Sequence, residues 1–242
     1  MKLSQYDEKH VRVKDIYGDT FEGVADFYCD DYFEHEYGVK EDGIIINGNI
    51  IYRSQVSSIE MMEVHGTAEL RTEHLILRRY IPEDARDLYK ELGKDPEMYR
   101  YSGWNPFATE EAARDAVLQT IRSYDDAHSY SWVMDSDDVL FGIIGAYDYR
   151  GDSIEVGFSV IKPCWGRGYA TEALKTVLRY LTENEGIPCV TAWCAADNTG
   201  SKRVLEKAGM RLAHAEKDGL AVGERTYDKL YFEYRAPGGA SD

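Results

Sequence analysis

The chemistry-bearing stretch of the chain runs from Lys162 to Leu174: Lys-Pro-Cys-Trp-Gly-Arg-Gly-Tyr-Ala-Thr-Glu-Ala-Leu. Gly166 and Gly168 stand between an apolar run, residues 154–161, that reads as a strand and a periodic stretch, residues 170–183, that reads as a helix. The first N–H groups of a helix lack partners within it, and the helix dipole favours an anion there. Glycines without a Cβ let a bulky diphosphate approach that backbone. The pattern is an anion cradle. It is not a P-loop, because no Gly-Lys-Ser/Thr opens the helix. Nor is it a dinucleotide fingerprint, because Gly166 and Gly168 lie late in the chain and are followed by Ala170, Thr171 and Glu172.

A second segment, Asp197 to Met210, follows another strand-like run, residues 190–196. Asn198 suits a helix N-cap, and Val204, Leu205 and Ala208 fall on one face. Gly209 suits the residue just past the helix end. Together the two segments resemble the coenzyme A pyrophosphate loop and the following helix of the GNAT superfamily of acyl-CoA-dependent N-acetyltransferases. The wording Trp-Gly-x-Gly-Tyr-Ala-Thr-Glu-Ala is most similar to the branch that includes the RimJ and RimL ribosomal-protein acetyltransferases. Met210 replaces the family's Phe.

The resemblance spans roughly Arg71 to Arg235 and defines a domain over residues 71–236. It implies an α/β (α+β) GNAT fold, a mixed twisted sheet with helices on both faces. Strands 154–161 and 190–196 would splay apart with acetyl-CoA wedged between them. The implied cofactor contacts are Phe158, Ser159 and Val160 on the strand, Asn198 and Ser201 on the second helix, and the loop Trp165, Gly166, Arg167, Gly168, Tyr169, Ala170 and Thr171. Trp165 stands where the wider superfamily has Gln or Arg, which marks the branch. Backbone donors from Gly166 to Thr171, with Arg167 nearby, are then left to hold the phosphates.

Amide formation sets the remaining demands. The attacking amine must lose a proton, the oxyanion needs a donor, and the leaving thiolate needs an acid or a polar partner. Glu155 is the candidate base, directly or through a water; the alternative is that it only anchors the amine. Many relatives carry a Tyr four residues after the position of Ser201, but here Leu205 stands there. Ser201 is then the better candidate to face the thiolate, as the resemblance to the RimL-like branch implies, and a non-catalytic acyl-CoA-binding protein stays open as the alternative. The N–H of Phe158 or Ser159 would polarise the thioester carbonyl if the strand bulges. Tyr101, Trp104 and Asn105, between the first two helices, and Tyr227, with Tyr231, on the last strand are the candidate lining of an acceptor pocket. The acceptor would be a protein N-terminus or a small-molecule amine.

The supporting elements are legible as a strand at 75–80, a helix at 82–92 opened by Pro82, and a helix at 108–122 capped by Thr109. A hairpin over 130–134 and 141–149, turning at 135–138, and a last strand at 225–234 complete them.

Residues 1–65 read as a separate object. Val11–Tyr28 alternates apolar and polar with a turn at Tyr17–Asp19, Gly43–Tyr52 is a hairpin around Asn47-Gly48, and Val56–Met61 is a closing strand. Five short strands resemble a small Sm-like (SH3-like) β-barrel domain, with its boundary near residues 63–70. Residues 1–70 hold 15 acidic and 6 basic residues, against 29 and 22 in the rest. Phosphate-backbone binding relies on Lys and Arg, so no nucleic acid is expected; a homo-oligomer contact or a protein partner through the barrel is. The acidic cluster from Asp30 to Asp42 lacks EF-hand spacing, and no metal is expected. Four cysteines (29, 164, 189, 194) without framework spacing read as reduced thiols. No long apolar run marks a membrane span, the N-terminal residues show no secretory pattern, and a cytoplasmic location is expected. The Gly-rich tail, 236–242, reads as disordered.

Overall fold

The computed structural model describes residues 2–7, 9–61, 66–126, 128–136 and 139–235. Part of the expected domain boundary, residues 137–138 of the hairpin turn and the tail 236–242 lie outside the described residues. The chain divides into two compact units, Met1–Val64 and His65–Asp242.

In the first unit, β1 (Lys9–Asp15), β2 (Thr20–Tyr28), β3 (Gly43–Ile46), β4 (Asn49–Tyr52) and β5 (Val56–Met61) form an antiparallel sheet ordered β4-β3-β2-β1-β5. Asn47 and Gly48 carry φ of 50° and 78°, the left-handed pair that a two-residue hairpin turn requires. Leu3, Val11, Val13, Ala25, Ile44, Ile46 and Ile51 make its core. One element departs from the all-strand expectation. Asp30–Tyr37 is a helix, α1, between β2 and β3. In sequence the stretch reads only as part of an acidic cluster, but Asp30 and Asp31 suit a helix N-terminus, and Gly38 ends it at φ 71°.

In the second unit, eight strands form a mixed sheet: β6 (Leu70–Arg71), β7 (Ile76–Arg78), β8 (Tyr130–Ser136), β9 (Val139–Tyr147), β10 (Ser153–Val160), β11 (Cys189–Ala195), β12 (Arg211–Val222) and β13 (Arg225–Arg235). Their order is β12-β13-β11-β10-β9-β8-β7-β6, and β10–β11 is the parallel pair. The helices are α2 (Asp84–Leu88, continuing as a wider turn to Gly93), α3 (Glu110–Arg122), α4 (Tyr169–Arg179, continuing to Asn184) and α5 (Thr199–Lys207). Sequence reasoning missed β12. It is exposed along most of its length and carries His214-Ala-Glu-Lys-Asp-Gly219, which has no strand signature of its own; pairing with β13 makes it a strand.

The caps are where the residue types demanded them. Thr109 Oγ1 accepts from the Ala112 N–H at 3.1 Å, and Asn198 Oδ1 accepts from the Ser201 N–H at 3.1 Å. Gly209, at φ 95°, closes α5: the Met210 N–H reaches the Leu205 carbonyl and the Gly209 N–H reaches that of Glu206.

β7 is tied to α2 and β8 by one cation. Arg78 donates twice to Asp84, at 2.9 and 2.8 Å, and once to Asp135 at 2.6 Å. Both carboxylates are buried. Removing the guanidinium strands two charges in a poorly solvated place, which costs several kcal/mol. Arg78→Met should therefore destabilise the second unit by about 3–5 kcal/mol. Urea unfolding followed by tryptophan fluorescence reads that unit alone, since all four tryptophans lie beyond residue 100. Adding Asp84→Leu and Asp135→Leu to the variant should recover part of the loss.

Candidate active site

β10 and β11 pair at only three positions, Ser153 with Cys189, Ile154 with Val190 and Glu155 with Thr191. Beyond them the two strands are unpaired, although both continue, to Val160 and Ala195. On its other edge β10 stays in register with β9 from Glu155–Tyr147 to Val160–Gly142. The bulge expected at Phe158 or Ser159 is therefore absent. The alternation of the ladder does its work instead. The Ile161 N–H donates to the Phe141 carbonyl at 2.9 Å, so Ser159, of the same parity, turns its N–H toward β9. Phe158 and Val160 turn theirs toward the gap left by β11.

The gap leads to the glycine loop. Gly166 (φ 72°) and Gly168 (φ 94°) adopt backbone that side chains resist, and a Cβ on either would meet nothing within 4 Å. Gly168 is the N-cap of α4 and has no side chain to cap it, unlike Asn198 on α5. The Thr171 and Glu172 N–H groups both turn to the Gly168 carbonyl, at 2.9 and 3.0 Å. Thr171 is thus removed from the expected backbone donors, and those of Gly166, Arg167, Gly168, Tyr169 and Ala170 remain. Trp165 fastens the loop: its indole N–H donates to the Val160 carbonyl at 2.6 Å. An open, anion-favouring cradle at the end of a splayed strand pair fits an acyl-CoA.

On the other side of Glu155 the register assembles a cleft of about 380 Å³. Tyr147 faces Glu155 from β9, Trp193 faces Tyr231 across β11 and β13, and Thr191 faces Glu233. Glu155 Oε1 accepts from the Trp193 indole N–H at 3.0 Å. Burial and the Glu155 carboxylate push the Tyr147 phenol up to about 12, so it remains a neutral O–H donor at physiological pH. Gly157 leaves room for that phenol, since a Cβ there would lie 2.8 Å from its oxygen. Lys229 holds its ammonium 4.4 Å from the Trp193 ring centre and 4.6 Å from that of Tyr231.

The residues expected to line an acceptor pocket fare unequally. Tyr101 and Tyr227 come together, ring centres 5.4 Å apart, and the Tyr101 hydroxyl donates to the Asp197 carbonyl. Tyr227 sits six residues along β13 from Glu233, the residue level with Glu155, which is about 20 Å of strand. Trp104 is 72% exposed. Asn105 is spent on its own loop: its amide donates to the Gly93 carbonyl at 2.7 Å and its oxygen accepts from the Phe107 N–H. Leu205 is buried, so that position supplies packing. Tyr147, Trp193 and Lys229 escaped sequence reasoning because only strand register brings them to Glu155.

The acetyltransferase (GNAT) domain model matches residues 74–211, and the chain belongs to that family of acyltransferases. It is 28% identical over 164 residues to the uncharacterized N-acetyltransferase YnaD of Bacillus subtilis (strain 168), covering 67% of this chain and 94% of that protein. Among solved structures, a GNAT-family acetyltransferase from Bacillus anthracis is 25% identical with a TM-score of 0.62, covering 69% of this chain and 98% of that one. RimL, a ribosomal L7/L12 α-N-protein acetyltransferase solved with coenzyme A, shares the fold at 15% identity and a TM-score of 0.63, over 68% of this chain and 95% of its own.

The α4 N-terminus is anchored by Glu172. Its carboxylate accepts from the Thr72 hydroxyl, from the His74 N–H at 2.8 Å, and lies 3.0 Å from His74 Nδ1. Burial alone would raise Glu172, but these hydrogen bonds hold it below the ordinary carboxylate value. The same pair raises His74 above its ordinary 6.5, through the hydrogen bond to Glu172. The anchor is therefore complete while Glu172 is ionised and His74 protonated: it weakens as pH falls through the lowered carboxylate value and as pH rises through the raised histidine value. NMR titration should place His74 above 6.5, and Glu172→Gln should return it toward 6.5; an unmoved midpoint would show the pair to be inert.

Proposed function

We propose that the protein transfers an acetyl group from acetyl-CoA directly to a primary amine. The observation that carries this reading is the early parting of β10 and β11, which sets an amine-side carboxylate, Glu155, three residues from a backbone N–H that faces the gap. Acetyl-CoA supplies an activated thioester. The N–H groups of Gly166 to Ala170 and the α4 dipole hold its diphosphate, with Arg167 nearby. The Phe158 N–H donates toward the thioester carbonyl. Glu155 takes the proton from the amine, and the neutral Tyr147 hydroxyl beside it helps position that proton transfer. Asn198 orders the first turn of α5 and so presents Ser201 toward the departing sulfur.

The strand order β4-β3-β2-β1-β5 supports an Sm-like reading of the first unit. Its acidic charge favours a protein contact over RNA. Among the described residues no helix is long and apolar enough to cross a membrane.

Glu155→Gln should lower kcat by about 10²–10⁴-fold in a thiol-release assay, with acetyl-CoA affinity by calorimetry unchanged. Full retention of turnover would remove Glu155 from the base role, and acetyl-CoA binding without turnover on any amine would instead support a non-catalytic acyl-CoA-binding protein. Gly168→Val puts a branched side chain into the open space over the loop and should abolish acetyl-CoA binding; unchanged affinity would refute the placement of the diphosphate.

A further inference from the structure

The cleft beside Glu155 holds two charges that form no ion pair among the described residues, and they flank one ring. Asp148 pairs with Arg150 at 2.5 Å, and Glu233 lies 3.8 Å from Arg235. Glu216, across from Lys229 on β12, accepts from the Tyr231 hydroxyl at 3.0 Å and forms no ion pair with Lys229. Glu155 accepts from the Trp193 indole N–H at 3.0 Å and has the neutral Tyr147 phenol beside it, while Arg150 acts on it only at longer range. Lys229 rests on the faces of Trp193 and Tyr231, and among the described residues no carboxylate forms an ion pair with it. Tyr231 is itself held, stacked on His214 with ring centres 4.2 Å apart and bonded to Glu216. The ammonium is thus presented by two positioned aromatic faces.

We infer that Lys229 is a specificity determinant and that the acceptor is an amine carrying a carboxylate, a free amino acid being the simplest case. This rests on the reading of Glu155 as the amine-side group. The carboxylate of Glu155 lies at the N–H edge of the Trp193 indole and the Lys229 ammonium lies over its face. A molecule that bridges them need be no longer than an amino acid, with its ammonium on Glu155 and its carboxylate on Lys229. A plain polyamine would meet Glu155 favourably but would bring a second cation against Lys229, in a cleft walled by low-dielectric rings.

The test is thiol release from acetyl-CoA with matched acceptors: L-histidine against histamine, L-tyrosine against tyramine, L-ornithine against putrescine, and one tetrapeptide N-terminus. The carboxylate-bearing member of at least one pair should show a kcat/KM at least about ten-fold higher, the effect of one charge-assisted contact. Lys229→Met should collapse that ratio by raising KM for the amino acid, and Lys229→Arg should restore it. Equal use of both members, a preference that survives Lys229→Met, or turnover of the peptide alone overturns the inference and leaves acetyl transfer standing. Release from no acceptor at all overturns the transfer reading and this inference with it.

Discussion

Two parallel strands that part after three pairs leave a row of backbone groups facing empty space, and the rest of the second unit is organised around tolerating that. Unpaired backbone in a sheet interior is costly unless something else satisfies it. β10 is held by β9 through six consecutive pairs, so it does not need β11 to stay straight. β11 is held by β13 through seven pairs, from Cys189–Arg235 to Ala195–Lys229. Each strand is thus secured from its outer edge, and the gap between them becomes a rigid slot. The Trp165 indole satisfies the Val160 carbonyl at the slot's end, and in doing so fixes where the glycine loop starts.

The long hairpin β12–β13 follows from the same constraint. Without a partner on its inner edge, β11 depends on β13, and β13 depends on β12 to avoid being an open edge itself. β12 accommodates the turn with register shifts between Leu212 and His214 and between Glu216 and Leu220. The first shift brings His214 opposite Tyr231, where the two rings stack. An irregularity in an exposed strand thereby shapes the cleft wall three strands from Glu155.

What could be read from sequence was whatever announced itself locally. Gly166 and Gly168, the Asn198 and Thr109 caps, Gly209 and the Asn47-Gly48 turn each carry a backbone demand in one residue, and the structure meets each of them. The glycine-loop side of the candidate site is made of such residues. The cleft beside Glu155 is not. Tyr147, Trp193 and Lys229 come from three strands spread over more than eighty residues, and nothing in their neighbourhoods distinguishes them from ordinary sheet residues. Asn105 shows the converse error: a polar residue in an aromatic loop looked like a ligand contact, yet its amide is used up holding Gly93 and Phe107. Helix α1 was hidden because its acidic residues look like a surface cluster, while the one residue that anchors it, Phe33, is buried only by the fold.

The charge of the chain also misleads when taken whole. A formal charge of −16 suggests a protein that gathers cations of every kind. Long-range steering does follow net charge, but selection at a site follows the few groups left uncompensated there. Around Glu155 the other lining carboxylates already have partners, so the acidic surplus is spent locally and does not add to the pull on an acceptor. Lys229 then stands out because it rests on Trp193 and Tyr231 and, although Glu216 lies across from it on β12, forms no ion pair among the described residues. The same aromatic walls that lower the local dielectric strengthen both of the remaining charges. A surface that attracts amines in general can thus lead to a cleft that distinguishes among them by the charge at their other end.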